Sequence, residues 1–316
     1  MTEREPLPLI SLQGLSRDFG TVHAVAGLTF DVKRGELFGI VGPDGAGKTT
    51  TLRMLAGVLR PTQGDAMVAG ASVAQQPEAV KPHIAYMSQR FGLYSDLTVR
   101  ENIDFYADIY QVPQSERPER LQRLYEFSAL EPFEDRLAGK LSGGMKQKLS
   151  LCCALIHHPD VLLLDEPTFG VDPISRRDLW LILHDMVARG MTVVVSTAYL
   201  DEAERCDRVA LLHRGRTLAL DAPLALQRRF HGEIYRVRTD DPRRAHQLLG
   251  SHPVVRNSVL FGDTVHTTMA DRSRDWPSVR QALQGAGLAV LDEAAAEPAL
   301  EDVFIELVQA AERGDD

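Results

Sequence analysis

Cysteine is scarce, with three residues in a chain of 316. Cys152 and Cys153 are adjacent and Cys206 stands alone. That pattern offers neither a disulfide framework nor zinc-ligand spacing, so a reducing cytosol is expected. Long hydrophobic runs are also missing. No stretch approaches the roughly 20 apolar residues of a membrane span, so any link to a membrane is expected to go through a partner. Met1 to Pro8 is charged and contains proline, without the apolar core of a secretory signal. Positive charge is not in excess. The net charge of −9 gives no support to a nucleic-acid partner. His246 and His266 have no companions at metal spacing and read as ordinary residues. The 44% hydrophobic and 25% charged content is that of a globular protein, and the length suggests about two domains.

The most informative stretch is Gly42-Pro43-Asp44-Gly45-Ala46-Gly47-Lys48-Thr49-Thr50. It has the spacing G-x-x-x-x-G-K-T of a phosphate-binding loop. The run Glu36 to Val41 before it reads as a buried strand, and Thr50 to Leu59 after it as a helix. Gly45 and Gly47 let the backbone curl so that successive N–H groups point inward at oxygen atoms. The helix start adds its dipole and unpaired N–H groups. Lys48 supplies a point charge for outer phosphates. The Thr49 hydroxyl suits Mg²⁺.

The rest of the chain is read around this loop. Leu7 to Leu12 and Leu28 to Val32 look like short strands, separated by the turn-rich Arg17-Asp18-Phe19-Gly20. Phe19 is either a platform for an adenine ring or a core residue. Strands are expected at Ala66 to Val68 and Ile84 to Met87, the latter ending at Ser88-Gln89. The aromatic stretch Phe91 to Thr98 is either a small satellite core or a groove for a partner helix. Apolar spacings of three and four predict helices over Thr98–Tyr110 and Glu116–Ala129, the second capped by Ser115 with Pro118 in its first turn. Ser142-Gly143-Gly144 opens another helix and reads as an anion site or as a plain N-cap. Val161 to Leu164 is a continuous apolar run that suits a strand buried on both faces of a parallel sheet. It ends in Asp165 and Glu166, where α/β sheets place their ligands. Asp165 could hold Mg²⁺, and Glu166 could orient and deprotonate a water. Solvated loop acids are the alternative.

After the turn Gly170 to Pro173, a helix is expected over Ile174–Arg189 and a strand over Met191–Val195. Ser196-Thr197-Ala198-Tyr199 follows, then a short helix over Leu200–Cys206 and a hairpin around Arg214-Gly215. The pattern changes near Gly232. A strand at Glu233–Arg238, a helix at Pro242–Gly250, a hairpin across Gly262-Asp263, a helix at Ser278–Gly285, a strand at Leu288–Asp292 and a last helix at Leu300–Ala311 suit a small ferredoxin-like α+β sandwich.

Taken in order, these motifs resemble the ATP-binding subunits of ABC transporters over residues 7 to about 230. The resemblance is carried by the phosphate loop, Gln89, the signature Leu141-Ser142-Gly143-Gly144, the strand end Asp165-Glu166 and the turn at Asp172. The tail Pro298-Ala299-Leu300-Glu301-Asp302-Val303-Phe304, the C-terminal extension and Met145 look like the branch serving ABC-2 type exporters of drugs or sodium. Several segments are most similar to the first ATPase half of certain fused bacterial exporters. The resemblance implies an α/β P-loop ATPase domain over residues 7–230 with an inserted helical subdomain at about 90–157, and an accessory α+β domain over 232–316. It implies ATP and Mg²⁺ as ligands, Phe19 as the adenine-stacking aromatic, and Gln89 meeting Mg²⁺ and the attacking water. It further implies a head-to-tail pair of ATPase domains, in which Ser142, Gly143 and Gly144 act on nucleotide held by the other domain. Polytopic membrane permease subunits would be the second kind of partner, docking a coupling helix on the Gln89–Leu97 surface. The location implied is peripheral, on the cytoplasmic face of the inner membrane.

One position departs from the family pattern. A histidine usually follows the Ser/Thr at the end of the strand near Val195, and here Ala198 stands in its place. Losing one positioned transition-state donor typically costs on the order of 10²–10³ in rate. The expectation is an asymmetric pair: a site that binds ATP and hydrolyses it slowly, and a signature able to complete a competent site on a different subunit. Two further readings are a soluble ABC ATPase acting on ribosomes or DNA and a nucleotide-binding regulatory subunit. The first usually has paired ATPase halves or long coiled coils, and neither is present in this sequence.

Overall fold

The computed structural model describes residues 7–89 and 92–314. Arg90 and Phe91, both within the expected docking surface Gln89–Leu97, lie outside the described residues. The chain divides into two compact units, 1–223 and 224–316. The division precedes the pattern change at Gly232, at the start of a helix that begins with Pro223.

The first unit opens with β1 (Ile10–Phe19) and β2 (Val22–Val32), a long antiparallel hairpin. Two short strands were expected here, with Arg17 to Gly20 as a turn. Instead Arg17 pairs with Val25 and Phe19 with Val22, and the turn is confined to Gly20 and Thr21. Register shifts between Leu12 and Asp18 carry the ladder through this polar stretch while Leu12 and Leu15 stay inward. There follow β3 (Leu37–Val41), α1 (Lys48–Leu55), β4 (Gln63–Val68), β5 (Ala71–Ser72), α2 (Pro77–Val80) and β6 (Ile84–Met87). The helix α1 stops short of the expected Leu59 because Gly57 takes a left-handed φ of +66° and its N–H bonds the carbonyl of Met54.

A helical block comes next: α3 (Val99–Ile109), α4 (Arg117–Ser128) and α5 (Gly143–Leu155). Thr98 and Glu101 form a reciprocal capping box on α3. Ser115 does not cap α4. Glu116 occupies that position without a side-chain capping bond, and Pro118 sits in the first turn. Then come β7 (Val161–Asp165), α6 (Pro173–Ala188), β8 (Thr192–Thr197), α7 (Leu200–Ala203), β9 (Arg208–His213) and β10 (Arg216–Asp221).

These strands build two sheets. One is antiparallel, in the order β2-β1-β4-β5. The other has six strands in the order β10-β9-β3-β8-β7-β6, parallel except at its β10 edge. Val161 to Leu164 of β7 have no exposure at all, as a strand covered on both faces requires. The parallel arrangement brings the carboxyl ends of β3, β7 and β8 to the same rim, next to the start of α1.

The second unit contains β11 (Glu233–Thr239), α9 (Pro242–Gly250), β12 (Val255–Phe261), β13 (Thr264–Met269), α10 (Arg272–Gly285), β14 (Val290–Ala296) and α11 (Leu300–Gly314), preceded by α8 (Pro223–Arg228). The sheet order β12-β13-β11-β14, antiparallel at every pairing, is that of the ferredoxin-like βαββαβ arrangement. Its core packs Val237, Val265 and Met269 with Leu249, Trp276, Val279 and Leu283. Two elements differ from expectation. The helix α10 starts six residues early, capped by Asp271, with Pro277 inside it. Burial of Trp276 and Val279 on either side of that proline holds the first turns together. The strand β14 runs on through Ala294, Ala295 and Ala296, which pair with Arg236, Tyr235 and Ile234. Alanine carries little strand signal, and the neighbouring strand supplies the constraint.

Leu163→Ala in β7 removes a side chain with no exposure from the main core. The expected loss is about 2–5 kcal/mol of unfolding free energy. Urea denaturation of the full chain measures it, and a loss near zero contradicts the packing described.

Candidate nucleotide-binding site

The glycine loop lies between β3 and α1 and is anchored by backbone at Gly42, Ala46 and Gly47. The N–H of Gly42 bonds the carbonyl of Thr197 at 3.3 Å, and the N–H of Gly215 bonds that of Ala46 at 3.2 Å. Gly47 has φ +100°, and a Cβ there would lie 2.5 Å from the carbonyl oxygen of Ala24. A Cβ on Gly42 would lie 2.3 Å from that of Leu212. Both positions therefore need glycine for close backbone approach.

Lys48 is only 4% exposed. Its Nζ donates to the carbonyls of Gly42 at 2.8 Å and Pro43 at 3.1 Å, and lies 3.2 Å from Glu166 Oε1. Gln89 Nε2 donates to the other Glu166 oxygen at 3.0 Å. A buried ammonium must be paired, and here its three donors each have an oxygen. Beneath this pair Asp165, 2% exposed, accepts three hydroxyl hydrogen bonds. They come from Thr49 at 2.9 Å, Ser196 at 2.8 Å and Tyr86 at 3.2 Å. Burial, with the Asp165 charge next in weight, pushes the Tyr86 phenol up to about 12, so it stays a donor at neutral pH. Glu166 itself sits at φ +49°, held there by its N–H, which faces both the carbonyl and the hydroxyl of Ser196. A non-glycine residue in that region at the end of a buried strand is strained backbone of the kind that accompanies function.

A cleft of about 630 Å³ opens over these groups. Phe19, Asp44, Gly45, Ala46, Gly47, Lys48, Thr49, Thr50, Gln89 and Glu166 all line it, together with Arg214 and the β2 start Val22-His23-Ala24. Phe19 is 48% exposed, with the Arg17 guanidinium 4.7 Å from its ring centre. It is thus not a core residue. Gly42, Pro43 and Asp165 do not line the cleft, and they hold Lys48 and Thr49 through hydrogen bonds. Gln89 is bonded to Glu166 rather than to Thr49 or Asp165. Ser142, Gly143 and Gly144 do not line the cleft. Ser142 caps α5 by accepting from Met145 N–H at 3.3 Å, and a Cβ on Gly144 would lie 2.1 Å from Ser175 Oγ. Ala198 is exposed beyond the end of β8 and is also outside the cleft lining.

Sequence reasoning missed Tyr86, Ser196 and Arg214. Ser196 stands directly across from Asp165 in the parallel register of β7 and β8, a pairing that the order of residues does not reveal. The oxygen donors of Thr49 and Asp165 are hard ligands. Among the described residues no cluster of three or more His, Cys, Asp or Glu could hold a metal by itself. This combination fits Mg²⁺, which is commonly held by one or two protein oxygens together with substrate phosphates.

A strand, a glycine loop and a helix around a buried lysine, with an acid pair at the end of a parallel strand two places away in the same sheet, define a P-loop nucleotide-binding ATPase fold. The family described as ABC transporter matches residues 25–169. The probable multidrug ABC transporter ATP-binding protein YbhF of Escherichia coli (strain K12) is 42% identical over 307 residues, 96% of this chain and 52% of that protein. The chain therefore spans about half the length of YbhF. The Nod factor export ATP-binding protein I of Rhizobium sp. (strain N33) is 38% identical over 301 residues, 94% of this chain and 96% of that one. Among solved structures, an ATP-binding subunit of an ABC transporter superposes with a TM-score of 0.63 at 32% identity, over 70% of this chain and 93% of the other. A dimeric ATP-binding cassette bound to ADP and Pi in a post-hydrolysis state gives 0.60 at 25%, over 67% and 98%. This chain belongs to the ABC transporter family.

Ser196→Ala removes one donor to Asp165 and one acceptor of the Glu166 N–H. The expected cost is about 1–3 kcal/mol of stability, read by chemical denaturation. Wild-type stability in that variant would contradict the buried network.

Proposed function

We propose that this chain powers a membrane exporter of the ABC-2 type by binding and hydrolysing ATP. The supporting observation is the convergence of Lys48, Thr49, Gln89 and Glu166 on one cleft, with Phe19 at its margin. The loop N–H groups and Lys48 receive the phosphates, and Phe19 stacks on the adenine. Thr49 and Asp165 hold Mg²⁺, which supplies positive charge to the phosphate oxygens. Glu166 orients the attacking water and takes its proton, and Gln89 assists in placing that water. Lys48 and Gln89 now occupy both oxygens of Glu166. Phosphate competing for Lys48 loosens that pair and frees one carboxylate oxygen for the water.

The signature Ser142-Gly143-Gly144 acts on nucleotide bound by a second ATPase subunit in a head-to-tail pair. Closure of the pair on ATP and its reopening after hydrolysis drive the permease subunits. The permease side docks near the groove of about 270 Å³ lined by Gln89, Leu93, Ser95, Ala138, Lys146 and Gln147. Asn102, fully buried, supports that surface by donating to the carbonyls of Tyr94, Leu97 and Thr98. The domain assignment that accompanies this reading is an ATPase domain over 7–230, its helical subdomain at about 90–157, and an accessory domain over 232–316. The chain works peripherally at the cytoplasmic face of the inner membrane. Relatives are named for multidrug and for Nod factor export, and in this reading the permease chooses the cargo.

A second reading is favoured by Ala198, an exposed methyl where the family pattern has a hydrogen-bonding histidine. In it, this chain is the slow half of a heterodimer whose partner carries the faster site.

Purification from native membranes tests both readings. The expected outcome is co-purification with a polytopic membrane protein and a fall in ATP turnover of at least about 100-fold in Glu166→Gln. No membrane partner, or unchanged turnover, contradicts the proposal. Ala198→His raises turnover if the own site is degenerate. Unchanged turnover in Ala198→His, with Glu166→Gln inactive, rules the second reading out.

A further inference from the structure

Glu202 is a glutamate with no solvent exposure and no part in the nucleotide chemistry above. It lies in the single turn of α7. Its Oε2 accepts the hydroxyls of Thr168 at 2.9 Å and Thr197 at 2.8 Å. Its Oε1 lies 3.3 Å from Arg176 Nε, an ion pair without hydrogen-bond alignment. The Arg176 guanidinium in turn sits 4.7 Å from the centre of the Tyr199 ring. Each partner belongs to a different part of the site. Thr168 is two residues beyond Glu166, in the turn that leaves β7. Thr197 ends β8, and its carbonyl holds the N–H of Gly42 at the mouth of the phosphate loop. Its hydroxyl also accepts the N–H of Tyr199 at 3.0 Å. Arg176 is in the first turn of α6, next to Ser175, against which Gly144 of the signature packs.

A buried carboxylate is expensive unless several donors hold it, so its retention needs a reason in geometry. We propose that Glu202 is a positioning residue for Glu166, fixing the turn after β7, the end of β8 and the start of α6 against one another. Its grip on Thr168 and Thr197 supports the left-handed backbone of Glu166 from the turn that follows it and from the end of β8. The same grip fixes residues 197–199, so the path of the chain through Ala198 does not depend on the side chain at 198. The inference rests on the reading of Glu166 as the water-activating group.

Thr168→Val and Thr168→Ser, with Glu202→Gln, test it in the full chain within its membrane complex. Steady-state ATP turnover and equilibrium ATP binding are measured for each. Thr168→Val and Glu202→Gln are expected to lower kcat about tenfold to a hundredfold, because a small misplacement of a reacting group has that effect. ATP affinity stays within about threefold of wild type, because Glu202 touches no residue of the cleft directly. Thr168→Ser, which restores the hydroxyl, recovers most of kcat. Wild-type kcat in Thr168→Val overturns the inference, as does a Thr168→Ser variant no better than Thr168→Val. A parallel loss of kcat and ATP affinity overturns it too, by showing a general structural role. Glu166→Gln in the same assay separates the two levels. If it leaves turnover intact, the underlying reading of Glu166 fails. If it abolishes turnover while the Thr168 variants are normal, only the role of Glu202 fails.

Discussion

The structure depends on a buried cation being kept in place. Lys48 is almost wholly enclosed, and an enclosed ammonium is tolerated only with an oxygen for each of its hydrogens. Two of those oxygens are carbonyls of its own loop and the third is on Glu166, 118 positions further along the chain by residue number (166 − 48). The lysine can be satisfied only if the loop curls as it does and only if β7 ends beside it. Those two requirements tie the glycine geometry at Gly42 and Gly47 to the parallel pairing of the central strands.

The sheet meets the second requirement. Because β3, β7 and β8 run parallel, their carboxyl ends emerge together, and each contributes one piece: the loop from β3, the acid pair from β7, Ser196 and Thr197 from β8. The carboxylates then divide the labour by depth. Asp165, which is almost wholly buried, accepts three hydroxyl hydrogen bonds. Glu166 faces the cleft and is held by Lys48 and Gln89, a grip that we propose nucleotide loosens. Glu202, a third and wholly buried acid, sits behind both and ties the loop segments to each other.

Much of this was legible in the residues alone. The loop spacing, the apolar run Val161–Leu164 and the acids that follow it have one-dimensional signatures, because a phosphate loop is local and a strand buried on both faces is uniformly apolar. The length of the β1–β2 hairpin was not legible, because Arg17 and Asp18 look like turn residues and their pairing is set by β2 across the sheet. Tyr86 and Ser196 were not legible as site residues, because their role depends on strand register and on which face a side chain takes. Nothing in the short helix over Leu200–Cys206 marks Glu202 as buried, since the threonines that hold it lie in two other segments. In the C-terminal unit the order of elements was readable, and the ends of α10 and β14 were not. Pro277 inside a helix and three alanines inside a strand contradict local preference and yield to the packing around them.

The most direct measurement is calorimetric titration of the full chain with ATP, with and without Mg²⁺, for the wild type and for Lys48→Ala. The account predicts one saturable ATP site per chain, tightened by Mg²⁺ and lost in Lys48→Ala. Equal ATP affinity in the two proteins would contradict it, because the phosphate charge would then be met somewhere other than the loop on which this site is built.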